Sequence, residues 1–413
     1  MRSGGEEGAT DITGKVKANA IDIDLAMEAG IGADTLDADA VVIGAGVAGS
    51  GMAYALAKRG WNVVLLDKAK FPRHKACGEF LSPESQSTLR AWGLDGAVQA
   101  CGPAAMTAVR LHTERGASLE VPLSAEAMGI SRFALDSVLQ ASAAEAGARL
   151  LEGYSVTSVL SSESGYRVEC INSNKQKLAI HARIAIGAGG RRMGNLLRER
   201  RPEIPVSSYI GIKSHFTRSD RMPIVDLYFF RGGYLGIAPV ERDRFNVAAI
   251  VRRSVYPKLP ASAAIERILG EATRRIPALK ERLAGAAPIP GTEAAAYPVT
   301  ISSGPCAWSG MPLIGDAAAV IPPFCGDGMA MALRSAELCA PHADAYLRGE
   351  ATLSQWRDVY TRQLEQHLGD ALRWGSRLER MLSRPGFASL LLRVGRFAPG
   401  LAERAVRATR LRE

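Results

Sequence analysis

The chain has 413 residues, 47% of them hydrophobic and 23% charged, with a formal net charge of +9. That composition is globular and excludes a disordered or collagen-like chain, and no run of about 18 uncharged apolar residues is present to cross a bilayer. The charge is local: segment 371–413 holds ten arginines and three glutamates, so a basic tail, not a nucleic-acid-binding surface, is what needs explaining. The six cysteines, at 77, 101, 170, 306, 325 and 339, show no CxxC or metal spacing, and the six histidines form no HExxH pattern. A reduced, cytoplasmic protein without a metal site is the expectation.

Residues 1–37 are rich in Gly, Asp and Ala and are expected to be a mobile extension, with one short helix near Asp22–Ala29. Asp39 to Asp67 then reads as strand, glycine turn, helix, strand, acid. Ala40–Ile43 is a short apolar run suited to a buried parallel strand. In Gly44-Ala45-Gly46-Val47-Ala48-Gly49, Gly44 permits a tight turn, Gly46 lets the backbone approach a pyrophosphate, and Gly49 lets helix and strand pack closely. The helix start offers free N–H groups and a positive dipole end to phosphates. Asp67 stands 18 residues beyond Gly49, where an acid accepts hydrogen bonds from a ribose hydroxyl. The context predicts dinucleotide binding.

The loop from Lys68 through Arg73, His74, Lys75, Cys77, Gly78, Glu79, Phe80 and Pro83 is basic and then turn-like. Its cations can neutralise a diphosphate and lower the pKa of Cys77. Cys77 and Glu79 are the catalytic candidates. Helices are expected at Glu84–Trp92 and from Arg132 to Ala146. Strands are expected at Thr107–Thr113, Ser118–Val121, Arg149–Leu151, Val156–Leu160, Tyr166–Ile171 and Leu178–Ile186, the last running into Gly187-Ala188-Gly189-Gly190. Tyr209–Arg252 alternates like an antiparallel sheet inserted into the α/β frame, and short helices follow at Ala261–Leu269 and Leu279–Ala284.

Trp308–Ala340 is the second informative stretch. Pro312–Ile314 reads as a strand, Gly315-Asp316 as a sharp turn, Pro322-Pro323 as an extended loop, and Gly326 and Gly328 as the opening of a helix. Asp316 stands where it can grip a polyol, and the Gly328 helix start can face a carbonyl or an anion. From Leu353 on the chain is helical and basic, broken at Pro385-Gly386, and its arginine-flanked apolar segments fit either a solvated face or an amphipathic contact with anionic lipid.

The N-terminal GxGxxG unit, the Arg132 helix start and the Gly315-Asp316…Gly328-Met329 segment together resemble the FAD-dependent oxidoreductase superfamily of group A flavin monooxygenases, geranylgeranyl reductases and flavin halogenases. Cys77-Gly78-Glu79-Phe80-Leu81-Ser82-Pro83 and the Gly233–Val251 segment look most like the geranylgeranyl-reductase branch. The monooxygenase Gly-Ala-Asp-Gly signature stands here as Gly187-Ala188-Gly189-Gly190, without its acid. The resemblance implies an α/β architecture with a Rossmann-like FAD-binding domain from 38–206 and 292–350, an antiparallel substrate sheet from 207–291, and C-terminal helices from 351–413. It implies FAD contacts at Gly44, Gly46, Ala48, Gly49, Asp67, Lys68, Arg73, Cys77, Gly78, Phe80, Arg132, Val156, Gly315, Asp316, Gly326, Gly328 and Met329. The substrate would lie near Tyr228, Phe229, Tyr234, Pro323 and Phe324.

The expected activity is hydroxylation or epoxidation of an apolar or aromatic natural-product or lipid-like molecule through a flavin hydroperoxide, with NAD(P)H as the candidate electron donor. Saturation of a prenyl double bond is the alternative, and a non-catalytic FAD-binding assembly protein is a third. For the basic C-terminal helices a solvated face is the simpler expectation, and a peripheral membrane contact is the alternative.

Overall fold

The computed structural model describes residues 35–193, 209–217, 222–256, 264–398, 400 and 410–411. The expected helix at Asp22–Ala29, and nearly all of the expected extension, lie outside these residues; Thr35–Asp37 instead open the first strand. Strand β1 (Thr35–Ile43) pairs in parallel with β2 (Val63–Asp67) on one side and with β9 (Lys177–Gly187) on the other. Strand β6 (Arg149–Glu152) extends the parallel edge beyond β2, and β8 (Gly165–Ile171) and β7 (Ser155–Ser162) continue antiparallel beyond β9.

Every residue of helix α1 (Val47–Ala57) is buried, because β1, helix α4 (Arg132–Glu145) and helix α7 (Gly328–Leu347) pack around it. Small residues make that burial geometrically feasible. A Cβ at Gly49 would overlap the Gly44 carbonyl oxygen, and one at Gly51 would meet the Trp92 ring at 2.6 Å. Trp92 closes helix α2 (Pro83–Trp92), whose left-handed C-cap is Gly93, and helix α3 (Asp95–Gln99) follows.

The second sheet has nine strands among the described residues. It includes β10 (Tyr209–Thr217), β11 (Ile224–Phe230), β12 (Gly233–Val240) and β13 (Arg244–Arg252), as the alternation predicted. Three features correct the expected boundaries. Strands β3 (Phe80–Leu81), β4 (Ala104–Thr113) and β5 (Ser118–Gly129) belong to this sheet although they precede residue 207. Strands β14 (Ala287–Pro288) and β15 (Ala294–Val299) both pair with β10, so the sheet also runs past residue 291. The sheet is not wholly antiparallel, because β4 and β11 run parallel. Hydrogen bonding between strands is indifferent to their distance in sequence, and composition shifts do not reveal it.

Helices α5 (Ala264–Arg275) and α6 (Pro277–Arg282) cover one face of this sheet. Pro312–Ile314 forms only isolated bridges, Leu313 with Gly187 and Pro312 with Trp308, because Gly315 (φ +61°) turns the chain at once. Helix α8 (Leu353–Leu382) starts on a Thr352–Gln355 capping box, and its Tyr360 hydroxyl donates to the Leu313 carbonyl at 2.8 Å, holding that turn from behind. Helix α9 (Pro385–Phe397) follows the expected break, with Pro385 in its first turn. No helix of the described residues is long and apolar enough to cross a membrane.

Gly49→Ala should destabilise the protein by about 2 kcal/mol, the cost of forcing a methyl group into a filled contact. Urea unfolding measures it; an unchanged midpoint would show that the helix can shift away from the turn without loss.

Candidate active site

The glycine turn forms because Gly44 adopts φ +111°, with its flank filled by the Ala188 carbonyl. Asp67 locks the turn from the next strand: its Oδ2 accepts from the Ala45 N–H at 2.9 Å and its Oδ1 from the Ala69 N–H at 2.8 Å. Two cations lie over the turn. A Cβ on Gly46 would sit 3.0 Å from Lys75 Nζ and 3.5 Å from Arg132 Nη2. Arg132 grips Asp136 through Nε and Nη2, both at 2.8 Å, and Lys75 reaches the same carboxylate at 3.3 Å. Burial pulls Lys75 below its ordinary pKa against the attraction of Asp136. Arg73 Nε is buried and has no hydrogen-bond partner among the described residues. Helix start, two cations and a waiting donor make a site for an anion.

Glu79 lies one turn of chain further on, with its backbone in the left-handed region at φ +57°. Such a conformation is strained for a residue with a Cβ, so the surroundings must hold it. They do so through the carboxylate. Oε1 accepts from the Arg132 N–H at 3.1 Å and from Lys213 Nζ at 3.1 Å, and Oε2 accepts from His215 Nε2 at 2.5 Å. Lys213 Nζ also donates to His74 Nδ1 at 3.0 Å and lies 3.0 Å from His215 Nε2. The side chains of Glu79, Lys213 and His215 are wholly buried. His74, Glu79 and His215 have the mutual spacing of metal ligands, but the cation at their centre is the Lys213 ammonium.

Burial alone would push the Glu79 carboxyl up, but the His215 hydrogen bond and the Lys213 charge outweigh it and hold the group below the ordinary carboxylate range. Burial lowers Lys213 despite Glu79, and burial together with the Lys213 charge lowers His74 to about 4. Glu79 is therefore an anchored anion, not an available acid. It bolts the Cys77–Phe80 loop to β10, and the Asn246 amide on β13 adds a bond to the Cys77 carbonyl at 2.9 Å. Glu241 fastens the Arg132 helix start from the second sheet, accepting from the Ser131 N–H at 2.8 Å and its hydroxyl at 2.6 Å.

A continuous cavity of about 850 Å³ runs from the glycine turn to the second sheet. Of the expected cofactor residues only Gly49 stays off its wall, since it packs α1 against the turn. Asp316 lines the cavity beside Arg191, whose Nε lies 4.0 Å from its carboxylate. Gly326 (φ +78°) lies against the Phe80 ring, where a Cβ would come within 2.9 Å. Phe229, Tyr234, Pro323 and Phe324 line the cavity as expected, and Phe324 meets both other rings edge-on at 5.9–6.1 Å.

Two expectations are corrected. Tyr228 faces away from the cavity and stacks on His112 at 4.6 Å, because neighbours on a strand point to opposite faces. The Cys77 thiol is not activated: desolvation at the cavity wall raises its pKa, and Arg132 offsets this only in part. Lys213, His215 and Asn246 escaped the sequence reading, although an apolar alternating strand carrying Lys213 and His215 on one face was the available signal. Arg410 was also missed. It lines the cavity, pairs with Asp327 at 2.6 Å ahead of the Gly328 helix start, and lies 5.5 Å from the Phe80 ring centre. Nothing in its local sequence distinguishes it from the other arginines of the tail.

Residues 37–202 match the FAD binding domain family. The chain is 27% identical over 381 residues to a menaquinone reductase of Mycolicibacterium smegmatis, covering 85% of this chain and 86% of that protein. It is 26% identical over 360 residues to digeranylgeranylglycerophospholipid reductase 2 of Methanopyrus kandleri, covering 84% and 87%. The flavin-dependent brominase Bmp2 shares the fold, with a TM-score of 0.73 at 20% identity over 90% of this chain and 93% of that one.

Glu79→Gln should cost about 3 kcal/mol, since it leaves the Lys213 ammonium buried without its counter-ion. Because the Glu79 pKa is depressed in the folded state, its contribution is complete above the ordinary carboxylate range and is lost as pH falls through the folded value. Acid unfolding followed by circular dichroism should therefore be steeper for the wild type than for the variant; equal slopes would remove Glu79 as the source.

Proposed function

Within the FAD-dependent oxidoreductase superfamily, to which this chain belongs, we propose that it saturates an isolated carbon–carbon double bond in the hydrocarbon chain of a prenyl-type lipid. The observation carrying this reading is the two-ended character of the cavity. One end is walled by the glycine turn, Arg73, Lys75, Arg132 and Asp316; the other is walled by aliphatic side chains such as Val109, Leu111, Val121, Leu227, Leu382 and Leu391. An aliphatic arm of this kind accepts a linear hydrocarbon and offers a polar headgroup no partner. The menaquinone reductase and the digeranylgeranylglycerophospholipid reductase, matching 85% and 84% of the chain, support a reductase, whereas a tryptophan 2-halogenase of Chondromyces crocatus matches 81% at a lower identity of 23%.

The residues at the polar end fit FAD. The turn at Gly44–Ala48, the unpartnered Arg73 Nε and the cations Lys75 and Arg132 suit the diphosphate. Asp67 has lone pairs left for a ribose hydroxyl, Asp316 suits the ribityl chain, and the N-terminus of α7 at Gly328 suits the electron-rich edge of the ring. When bound, FAD supplies hydride chemistry, with NAD(P)H as the candidate donor of electrons.

The chain's own residues supply the rest. Phe229, Tyr234 and Phe324 exclude water beside the Cys77–Phe80 loop. Saturation of an alkene adds a hydride to one carbon and a proton to the other. Cys77 lines the cavity with its proton retained, and the Arg132 charge beside it is placed to stabilise the thiolate left when that proton is given up. The Glu79 anchor holds the thiol in place.

A second reading, oxygen-dependent hydroxylation or epoxidation of an apolar molecule, is favoured by the same aromatic enclosure, which would keep water from a reactive oxygen adduct. Oxygen separates the two. Under the reductase reading, FAD-loaded protein with dithionite saturates a prenyl lipid anaerobically, detected as a gain of two mass units by mass spectrometry. Turnover only in the presence of oxygen, with a gain of one oxygen atom, would replace it by the second reading. Asp316→Ala should yield folded protein with little bound flavin by absorbance, and full flavin content would refute the role given to Asp316.

A further inference from the structure

Helix α9 has two apolar sides. Ala388, Leu392 and Gly395 are buried, and Leu391, Leu392 and Gly395 line the aliphatic arm of the cavity. Phe387, Leu390, Val394 and Phe397 are 45%, 56%, 47% and 92% exposed. Their spacing of three, four and three residues puts them on one outer stripe. Among the described residues ten large hydrophobic side chains are exposed, and four of them fall on this one helix. Trp374, a fifth, lies on the preceding α8. Scattered exposed apolar residues need no explanation, but a contiguous stripe does.

Val394 belongs to both sides, since it lines the cavity and is half exposed. It therefore stands at a mouth. The surroundings of that mouth are basic. Between Trp374 and Phe397 five arginines, at 377, 380, 384, 393 and 396, are exposed, and the single acid, Glu379, is engaged by Arg252 at 3.2 Å.

We infer that α9 is a membrane-docking helix: its outer stripe lies among the acyl chains of an anionic bilayer, its arginines meet the headgroups, and the cavity mouth at Val394 opens directly onto the lipid. A helix of 13 residues is too short to span a bilayer, so it lies in the interfacial plane. An arginine-flanked apolar stripe matches a surface that is anionic outside and apolar beneath. A second copy of the chain would bring the same arginines against it, and like charges would oppose that contact. The docking goes beyond the proposed reaction and is independent of it. Only the entry of a prenyl substrate by this route rests on that reading.

Co-sedimentation of the full-length, FAD-loaded protein with vesicles tests the inference without turnover, so its failure is separable from failure of the proposed reaction. The wild type should sediment with phosphatidylcholine vesicles containing phosphatidylglycerol and only weakly with phosphatidylcholine alone. The triple variant Phe387→Ser, Leu390→Ser, Phe397→Ser should lose at least about tenfold in partitioning. The double variant Arg393→Glu, Arg396→Glu should lose the preference for anionic vesicles. Flavin content and thermal midpoint serve as controls for folding, which none of these exposed positions should disturb. The inference is overturned if the wild type stays in the supernatant with anionic vesicles, or if the triple variant sediments as well as the wild type. It is equally overturned if the stripe proves to mediate self-association, seen as a dimer that the triple variant converts to monomer with no vesicle binding by either.

Discussion

The buried Glu79 carboxylate is the joint on which the two halves of this molecule depend. It receives three donors from two places far from it in the chain: the Arg132 helix start, and Lys213 and His215 on β10. A residue with a left-handed backbone keeps that conformation only when the surroundings over-determine it, and here an ion pair, a charged hydrogen bond and a backbone amide do so together. The consequence is positional. The Cys77–Phe80 segment is thereby fixed between the anion-binding turn and the second sheet, along the wall of the one cavity that joins them.

The same joint explains how one cavity has two characters. Its polar end is assembled from backbone, cations and the turns at Gly44 and Gly315, where side chains would be obstructive. Its far end takes the aliphatic face of β4, β5 and β11 and is roofed by α8 and α9. Strand alternation does the sorting: Phe229 faces the cavity, while Tyr228 faces the opposite core with His112. A thiol placed at the boundary is desolvated by the apolar side, so its proton is retained where an activated thiolate would otherwise be expected.

The roof also joins site and surface. Helix α9 contributes to the cavity on one side and presents apolar side chains outward on another. Arg410, near the end of the chain, returns to pair with Asp327 beside the start of α7. Among the described residues of the basic tail, Arg410 is built into the cavity wall, while Arg377, Arg380, Arg384, Arg393 and Arg396 are exposed.

The sequence by itself determined the parts whose physics is local. The strand–turn–helix at Ala40–Ala57, the Asp67 position, the Gly315-Asp316 turn and the α7 start at Gly328 are dictated by glycine conformations and apolar runs over a few neighbouring residues, and all were legible. The helix break at Pro385 was legible for the same reason. What depended on long-range pairing was not. That β3, β4 and β5 join the second sheet, that β4 and β11 run parallel, and that Tyr228 turns away are matters of register between distant segments. Glu79 was visible as a lone acid in a loop, but its role was set by Lys213 and His215 more than 130 positions away. Only tertiary structure could decide that role, because the pKa and freedom of a buried charge depend on what surrounds it in space, and sequence spacing carries no record of that.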